Sequence, residues 1–237
     1  MAKFTDKNIL VIGGSSGIGL NTVKRLLLED ANVWVASRRE PEVAGVQYIP
    51  FDVENFDQAA FDKLPDKLHG LVYGPGTINL KPFQALKPED FQRDLDINVM
   101  GAIKTLQACL KPLRKAKGAS VVLFSTVAVK VGLNFHASVA TAKGALEGLG
   151  KSLAAEFASK QVRVNIIAPS LTDTPLASNL LSSDEKRKSS DDRHPIGRVG
   201  TTDDIATIVE LLLSDESSWI TGQVLGVDGG MSTLKPL

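Results

Sequence analysis

The sequence predicts a doubly wound α/β fold, in which about seven parallel strands form one sheet that carries helices on both faces. Three observations lead to this prediction. Short apolar runs recur along the chain and alternate with longer segments of helical periodicity. The first of these runs leads into a glycine-rich turn that begins a helix. The length of 237 residues suits one domain of this class, so we expect a single domain over residues 1–237.

The composition excludes several classes of protein. Lys plus Arg and Asp plus Glu both number 27, so no basic excess indicates a nucleic-acid partner. No apolar run reaches membrane-spanning length, and the polar N-terminal residues leave no room for a signal peptide. The single cysteine, Cys109, cannot form an internal disulfide. We expect a cytoplasmic protein with a small-molecule substrate, without a metal site and without a nucleic-acid or membrane partner.

The segment from residue 8 to residue 20 combines the first predicted strand with the first predicted helix. Residues 8–12 read NILVI and suit a strand that is buried on both faces. Gly13, Gly17 and Gly19 let the chain turn sharply and let the helix pack close to the strand. Amide groups left free at the start of the helix favour a bound phosphate, and a tight turn without a ligand is the alternative.

The glycine spacing in this turn is Gly-x-x-x-Gly-x-Gly, and it resembles the cofactor loop of the short-chain dehydrogenase/reductase family. The resemblance extends from Lys7 to about Ser232. It implies a Rossmann-like fold, a nicotinamide dinucleotide cofactor and a homodimer or homotetramer. Ile12 departs from the threonine that the family usually has before the first glycine. The residues that the resemblance places in the cofactor loop are Gly13, Ser15, Ser16, Gly17, Ile18 and Gly19.

The second predicted strand, residues 32–36, ends at Ser37, Arg38 and Arg39. In a dinucleotide-binding fold a carboxylate at this point binds the ribose 2′-hydroxyl, whereas arginine binds a 2′-phosphate. Ser37 stands where NAD-using relatives in the family have aspartate, and Arg38 stands where NADP-using relatives have arginine. The resemblance therefore implies NADP(H), and a guanidinium suits a phosphate geometrically. Two solvated arginines in a loop are the alternative.

The remaining strands and helices are predicted from apolar runs and from apolar stripes of helical spacing, respectively. Apolar runs predict strands at residues 46–53, 69–73, 119–124 and 161–168, and the segment 219–230 resembles the last strand of the family with its flanks. Apolar stripes predict helices at residues 56–64, 88–115, 138–158 and 201–214, the last of them capped by Thr202 or Asp203.

The ends of the third and fourth strands carry further cofactor residues by resemblance. Asp52 and Val53 match the pair that the family places beside the adenine. Gly74 and Gly76 follow the fourth strand, where the family typically has Asn-Asn-Ala-Gly and this chain has Tyr-Gly-Pro-Gly. Tyr73 therefore replaces an asparagine. We interpret it as a packing substitute, with a new functional group as the alternative.

Asn98 lies on the apolar stripe of the helix predicted at residues 88–115, where a buried amide must find polar partners. The resemblance matches it to the catalytic-relay asparagine of the family, and a structural role at a helix kink is the alternative. Ser125 and Thr126 follow the strand at residues 119–124, at the edge where parallel sheets bind ligands. The resemblance assigns the position of the catalytic serine to Thr126.

Lys143 lies on the apolar stripe of the helix predicted at residues 138–158, where an unpaired ammonium is costly to bury. It matches the lysine that grips the nicotinamide ribose in the family. The tyrosine of the family then falls at Val139, thirteen residues after Thr126, and valine transfers no proton. His136 has the spacing to Lys143 that the tyrosine has in the enoyl-reducing branch, so it is one candidate acid. A structural or exposed histidine, or a pocket enlarged at Val139, are the alternatives.

The segment after the strand at residues 161–168 resembles the family's Pro-Gly-x-x-x-Thr segment around the nicotinamide amide, with Ser170 in place of the glycine. Pro169, Leu171 and Thr174 are the cofactor residues predicted there. The polar stretch within residues 172–197 stands where relatives carry a substrate lid, and a solvated charged face is the alternative.

Together these observations predict an NADP(H)-dependent oxidoreductase that acts on a carbonyl, a hydroxyl or an activated alkene. Lys143 holds the cofactor ribose, Asn98 belongs to a proton relay, and Thr126 or Ser125 binds the substrate oxygen. The proton comes from His136 or through water. The alternative is a catalytically silent NADP(H)-binding protein, either a sensor or a structural subunit of a hetero-oligomer, and Val139 motivates it.

Overall fold

The computed structural model describes residues 2–235 and contains a parallel sheet of seven strands. The strands are β1 (Asn8–Ile12), β2 (Asn32–Ser37), β3 (Val46–Pro50), β4 (Gly70–Tyr73), β5 (Ser120–Phe124), β6 (Arg163–Pro169) and β7 (Val224–Val227). They lie in the order β3-β2-β1-β4-β5-β6-β7. The predicted doubly wound, Rossmann-like fold is confirmed, and each strand overlaps a segment predicted to contain one.

Helices cover both faces of this sheet. The α-helices are α1 (Gly17–Leu28), α2 (Pro88–Leu95), α3 (Gly101–Ala116), α4 (Ala128–Val131), α5 (Ala137–Phe157), α6 (Asp184–Asp191) and α7 (Thr202–Leu213). Val23 of α1 and Val209 of α7 belong to the apolar cluster on one face. Leu106 of α3 and Leu146 of α5 belong to the cluster on the other. Alternate residues of β1 enter the two clusters, so both faces of the central strand are buried.

The order of the strands reverses at β1. From β1 the chain builds the sheet outward through β2 and β3, and it then returns to place β4 on the other side of β1. The turns after β1 and β4 therefore meet, and the amide of Gly74 donates a 3.0 Å hydrogen bond to the carbonyl of Ile12. The crevice outside such a reversal is where open α/β sheets bind ligands.

Two predicted elements after β2 are shorter than expected. Strand β3 ends at Pro50 rather than at residue 53, because the Asp52 carboxylate accepts a 3.1 Å hydrogen bond from the Glu54 amide and turns the chain. The helix predicted at residues 56–64 is only a 3₁₀ turn, Gln58–Phe61, which the Asp57 side chain caps. The rings of Phe51, Phe56 and Phe61 pack together there in place of a helical stripe.

The long helix predicted at residues 88–115 is present, but a π-helical turn at Asp96–Met100 separates α2 from α3. The Tyr73 hydroxyl donates a 2.6 Å hydrogen bond to the carbonyl of Ile97 inside this turn. Tyr73 is fully buried, which agrees with its interpretation as a packing residue. Gly101 follows the turn, where any side chain would overlap Val53 and Tyr73. The π-helical turn therefore widens the helix where it packs against Tyr73 at the end of β4.

The segment predicted as a lid, residues 172–197, contains more regular structure than its composition indicated. It forms a 3₁₀ helix at Pro175–Leu181 and then α6, whose first turn is capped by Ser183. The following helix, α7, is capped by Thr201 rather than by Thr202 or Asp203. Thr201 and Asp204 form a reciprocal capping box there.

No helix within residues 2–235 combines the length and the apolar character that crossing a membrane requires. Cys109 is fully buried on α3, and burial raises the pKa of its thiol to about 12.

Substituting Gly101 with Ala is expected to lower the free energy of unfolding by about 1–3 kcal/mol, because the new methyl group overpacks the contact with Val53 and Tyr73. Urea unfolding measures this change. Gly148 of α5 has open space around it, so Gly148→Ala is the matched control and should raise the free energy of unfolding by about 1 kcal/mol. Equal effects of the two substitutions would contradict the close approach at Gly101.

Candidate active site

The carboxyl ends of the strands open on a cleft of about 1440 Å³. It lies at the reversal of the strand order, as expected for this fold. Of the residues predicted for the site, those that line it are Gly13, Ser15, Ser16, Gly17, Ile18, Gly19, Ser37, Arg38, Arg39, Asp52, Val53, Gly74, Gly76, Ser125, Thr126, His136, Lys143, Pro169, Leu171 and Thr174. Asn98 is the exception, because it is fully buried behind the wall of the cleft.

The glycine-rich turn has the geometry of an anion cradle. Gly13 has a φ of 77° and Gly17 a φ of 54°, and both values favour glycine. A side chain at Gly19 would overlap the carbonyl of Gly13, so the helix packs directly on the turn. No acidic residue lies in the first turn of α1, and the Ser16 side chain does not cap it. The helix start therefore presents amide groups and a positive dipole to the cleft, which fits a pyrophosphate.

The tip of β2 carries the two arginines at the surface. The Ser37 hydroxyl donates a 2.7 Å hydrogen bond to the carbonyl of Arg39, which shapes the loop. Within residues 2–235, Arg38 and Arg39 have no ion-pair partner, and both are exposed at the rim of the cleft. A cationic surface without internal partners is suited to an anionic ligand.

Lys143 lies on the buried side of α5, and its side chain reaches the end of β5. Its ammonium donates a 2.7 Å hydrogen bond to the carbonyl of Phe124. Burial lowers the pKa of Lys143 from its ordinary 10.5 to about 8, and the charge of Asp94 opposes this shift. The sequence-based expectation that the ammonium is buried agrees with this position.

A buried polar cluster beside Lys143 contains two residues that the sequence did not single out. Asp94 is 2% exposed and accepts a 2.5 Å hydrogen bond from the Thr77 hydroxyl. That hydroxyl in turn accepts a 3.1 Å hydrogen bond from the Asn98 amide, which also donates to the carbonyl of Asp94. One oxygen each of Asp94 and Asn98 has no partner within the described residues. The cluster thus leaves two acceptors free beside a cation.

Asn98 faces the same small space as Lys143. A Cβ atom at Gly76 would lie 3.5 Å from the Asn98 carbonyl oxygen and 3.5 Å from the Lys143 nitrogen. A glycine at this point therefore keeps open the space between the two polar groups. The arrangement holds Asn98 both in the π-helical turn and beside the ammonium, so its structural and relay interpretations are compatible.

The hydroxyl groups after β5 have different surroundings. Ser125 is buried and donates a 2.5 Å hydrogen bond to the carboxylate of Glu147. Thr126 is half-buried, and its hydroxyl oxygen accepts a 3.3 Å hydrogen bond from the Ala128 amide. Among the described residues no acceptor takes the proton of the Thr126 hydroxyl. Thr126 is therefore the hydroxyl that is available to a ligand in the cleft.

The start of α5 brings Val139 and His136 to the cleft. Val139 is 6% exposed and lies one helical turn before Lys143. His136 is the residue that precedes the helix, is half-buried, and has its Nδ1 atom 2.7 Å from the carbonyl of Asn134. His136 is thus at the helix start rather than in a free loop.

Comparison with known proteins identifies the family. A family model described as enoyl-(acyl carrier protein) reductase matches residues 13–232. A tropinone reductase homolog of Arabidopsis thaliana is 35% identical over an alignment 243 residues long, which covers 95% of this chain and 92% of the relative. A solved short-chain type dehydrogenase/reductase of Mycobacterium ulcerans is 30% identical, with a TM-score of 0.89 over 97% of this chain and 91% of that one. The chain belongs to the short-chain dehydrogenase/reductase family.

Two further short-chain dehydrogenase/reductase structures are similar over nearly the whole chain. The aldohexose dehydrogenase of Thermoplasma acidophilum, in ligand-free form, is 29% identical with a TM-score of 0.92, over 100% of this chain and 98% of that one. ElxO with NADP bound is 26% identical with a TM-score of 0.88, over 96% and 99% of the two chains. The family assignment makes this chain an oxidoreductase and confirms the sequence-based resemblance at that level.

Replacing Lys143 with Met is expected to raise the free energy of unfolding at pH 7 by up to about 3 kcal/mol, because folding desolvates the ammonium. Between pH 8 and pH 10.5 the unfolded chain binds more protons than the folded one, so wild-type stability rises with pH there. The advantage of the variant should therefore shrink toward pH 10.5.

Urea unfolding at several pH values measures this difference. Lys151 is exposed on the same helix, so Lys151→Met is the matched control. A stability difference between Lys143→Met and wild type that stays constant from pH 7 to pH 10.5 would show that burial does not shift the pKa of Lys143.

Proposed function

We propose that this protein is an NADP(H)-dependent oxidoreductase that acts on a carbonyl or hydroxyl group or on an activated alkene. The observation that carries the proposal is Lys143, a buried ammonium whose cleft also contains the glycine-rich turn and the free hydroxyl of Thr126. The similarity to a tropinone reductase homolog and to an aldohexose dehydrogenase supports the carbonyl and hydroxyl substrates.

In this proposal the amides at the start of α1 bind the pyrophosphate, and Lys143 binds the nicotinamide ribose. Asp52 and Val53 flank the adenine, and Pro169, Leu171 and Thr174 contact the nicotinamide. The bound cofactor supplies or accepts a hydride. Thr126 donates its hydroxyl proton as a hydrogen bond to the substrate oxygen, since Ser125 is engaged with Glu147.

The preference for NADP(H) rests on the tip of β2. No carboxylate follows β2 at the position that would bind a ribose 2′-hydroxyl, and Arg38 with Arg39 presents unpaired cations at the rim. The NADP-bound ElxO structure, which shares the fold, is consistent with this cofactor. A bidentate contact from one guanidinium to a 2′-phosphate is the expected geometry.

The proposed site is atypical, because Val139 occupies the position at which the family resemblance expects a tyrosine. Valine has no proton to transfer, so His136 or water is the donor that the sequence offers. The second candidate function follows from the same residue: a catalytically silent NADP(H)-binding protein, acting as a sensor or as a structural subunit.

Three further features belong to this proposal. Residues 172–197 act as a substrate lid, since the 3₁₀ helix before α6 and the residues Arg193 and His194 after it border the cleft, while α6 itself carries the charged residues. The protein forms a homodimer or homotetramer. It works in the cytoplasm, where its single buried thiol stays reduced.

Purified protein is expected to oxidise NADPH in the presence of at least one class among aldehydes, ketones, quinones and enones. Absorbance at the NADPH band measures the rate. Val139→Tyr is the comparison variant. Turnover by the wild type supports the enzyme, whereas turnover that arises only in Val139→Tyr supports the silent protein.

Arg38→Ala is expected to weaken NADPH binding about 10- to 100-fold, because a charge-assisted hydrogen bond to phosphate is lost. NADH has no 2′-phosphate, so its affinity should change less than about threefold. Fluorescence titration measures both dissociation constants. Arg114, exposed at the far end of α3, provides Arg114→Ala as the matched control. Equal losses of affinity for NADPH and NADH in Arg38→Ala would contradict a role of Arg38 in the choice of cofactor.

A further inference from the structure

The cleft contains a hydrogen-bonded serine and histidine that no sequence motif predicted. The hydroxyl of Ser170 lies 2.8 Å from the Nε2 atom of His194, although 24 residues separate them. Ser170 directly follows β6, and His194 follows α6 in the proposed lid. His194 is 4% exposed, and both residues line the cleft that contains Lys143.

The surroundings of His194 decide which of its nitrogens carries the proton in the neutral ring. Its Nδ1 atom lies 2.7 Å from the carbonyl of Ser190, which only accepts hydrogen bonds, so Nδ1 carries a proton. Nε2 is therefore the nitrogen that shares a hydrogen bond with the Ser170 hydroxyl. Neutral His194 accepts the Ser170 hydroxyl proton at Nε2, and charged His194 donates Nε2–H to the Ser170 oxygen. The contact survives in both protonation states, which suits a group that passes protons in either direction.

The position of Ser170 places this pair at the reacting end of the cleft. The carbonyl of Pro169 accepts a 3.1 Å hydrogen bond from the amide of Val127, so the chain after β6 lies against the chain after β5. Ser170 follows Pro169 in the chain and Thr126 precedes Val127, so each of these hydroxyl residues is adjacent to this hydrogen bond. Thr126 is the hydroxyl proposed to bind the substrate oxygen, while Val139, which lines the same cleft, offers no proton.

We propose that Ser170 and His194 supply the proton to the substrate oxygen when a carbonyl is reduced. This inference rests on the proposed function, whose reduced nicotinamide cofactor is the hydride donor and is oxidised. The Ser170 O–H bond breaks and its proton joins the substrate oxygen, which holds the electron pair released from the C=O bond. The Nε2–H bond of charged His194 then breaks and restores the Ser170 hydroxyl. Solvent returns a proton to Nε2, and the oxidation of an alcohol runs these steps in reverse.

The pair has two competing explanations. One is that His136 supplies the proton, since it also borders the cleft at the start of α5. The other is that the Ser170 contact only anchors the lid to β6. His194→Gln separates the lid anchor from the proton donor, because glutamine can still accept a hydrogen bond from Ser170 but carries no transferable proton.

Kinetics of three variants test the assignment. His194→Gln and Ser170→Ala are each expected to lower kcat for carbonyl reduction about 100-fold or more, while the dissociation constant for NADPH changes less than about threefold. Ser189→Ala, at an exposed position of α6, is the matched control and should keep the wild-type kcat. Circular dichroism and thermal unfolding establish that each variant is folded, and His194→Asn replaces His194→Gln if the latter is not.

Nitrogen NMR gives a readout that does not depend on turnover. The chain has three histidines, so comparison of ¹⁵N-histidine spectra of wild type and His194→Gln assigns the His194 signals. We expect neutral His194 to carry its proton on Nδ1, and we expect Ser170→Ala to shift the Nε2 resonance. A neutral ring with its proton on Nε2 would overturn the pairing.

The kinetic outcomes separate this inference from the function on which it rests. Full activity in His194→Gln would overturn the assignment of His194 as part of the proton donor. The Ser170–His194 contact would then only anchor the lid. A loss confined to His136→Gln, measured in parallel, would assign the proton to His136 instead. A wild-type protein that binds NADPH but reduces no carbonyl would overturn the proposed enzyme, and with it the proton donor.

Discussion

The burial of the Lys143 ammonium is the constraint on which the candidate site depends. Its hydrogen bond to the carbonyl of Phe124 joins α5 to the end of β5, and desolvation lowers its pKa to about 8. A buried cation needs compensation, and the charge of Asp94 offsets only part of the desolvation. Asp94 in turn is held by Thr77, which also binds the amide of Asn98. The polar interior of the site therefore consists of the hydrogen-bonded cluster of Asp94, Thr77 and Asn98, and the charge of Asp94 acts on the buried ammonium.

The two halves of the cleft are built from different parts of the chain. The half proposed for the dinucleotide uses backbone amides, positive φ angles and close glycine contacts, which depend little on side-chain chemistry. The half proposed for the substrate uses the side chains of Thr126, Val139 and Ser170, each of which differs from the residue that the family resemblance expects. A fold can keep its cofactor geometry while its proton chemistry changes, because these groups come from separate elements.

Where the sequence was misleading, a local or tertiary contact outweighed periodicity. The carboxylate of Asp52 turns the chain after β3, and the side chain of Asp57 caps a 3₁₀ turn where a helix was predicted. The π-helical turn at Asp96–Met100 depends on the Tyr73 hydroxyl and on the contact at Gly101, both of which involve residues distant in sequence. The predictions for long, strongly patterned segments were correct because many apolar residues determine them together.

The amino-acid sequence predicts the type of the strands and main helices and their order along the chain. It also predicts the glycine-rich turn and the presence of Asn98 and Lys143 on apolar faces. The strands before β7 and the main helices follow from local spacing, which burial of an apolar face imposes on nearby residues, whereas β7 follows from the family resemblance. The polar pairs become visible only in the folded chain: Ser125 with Glu147, Asp94 with Thr77, and Ser170 with His194. Those pairs join residues on different elements. Their distances depend on how helices and strands pack, and no periodicity along the chain encodes that packing.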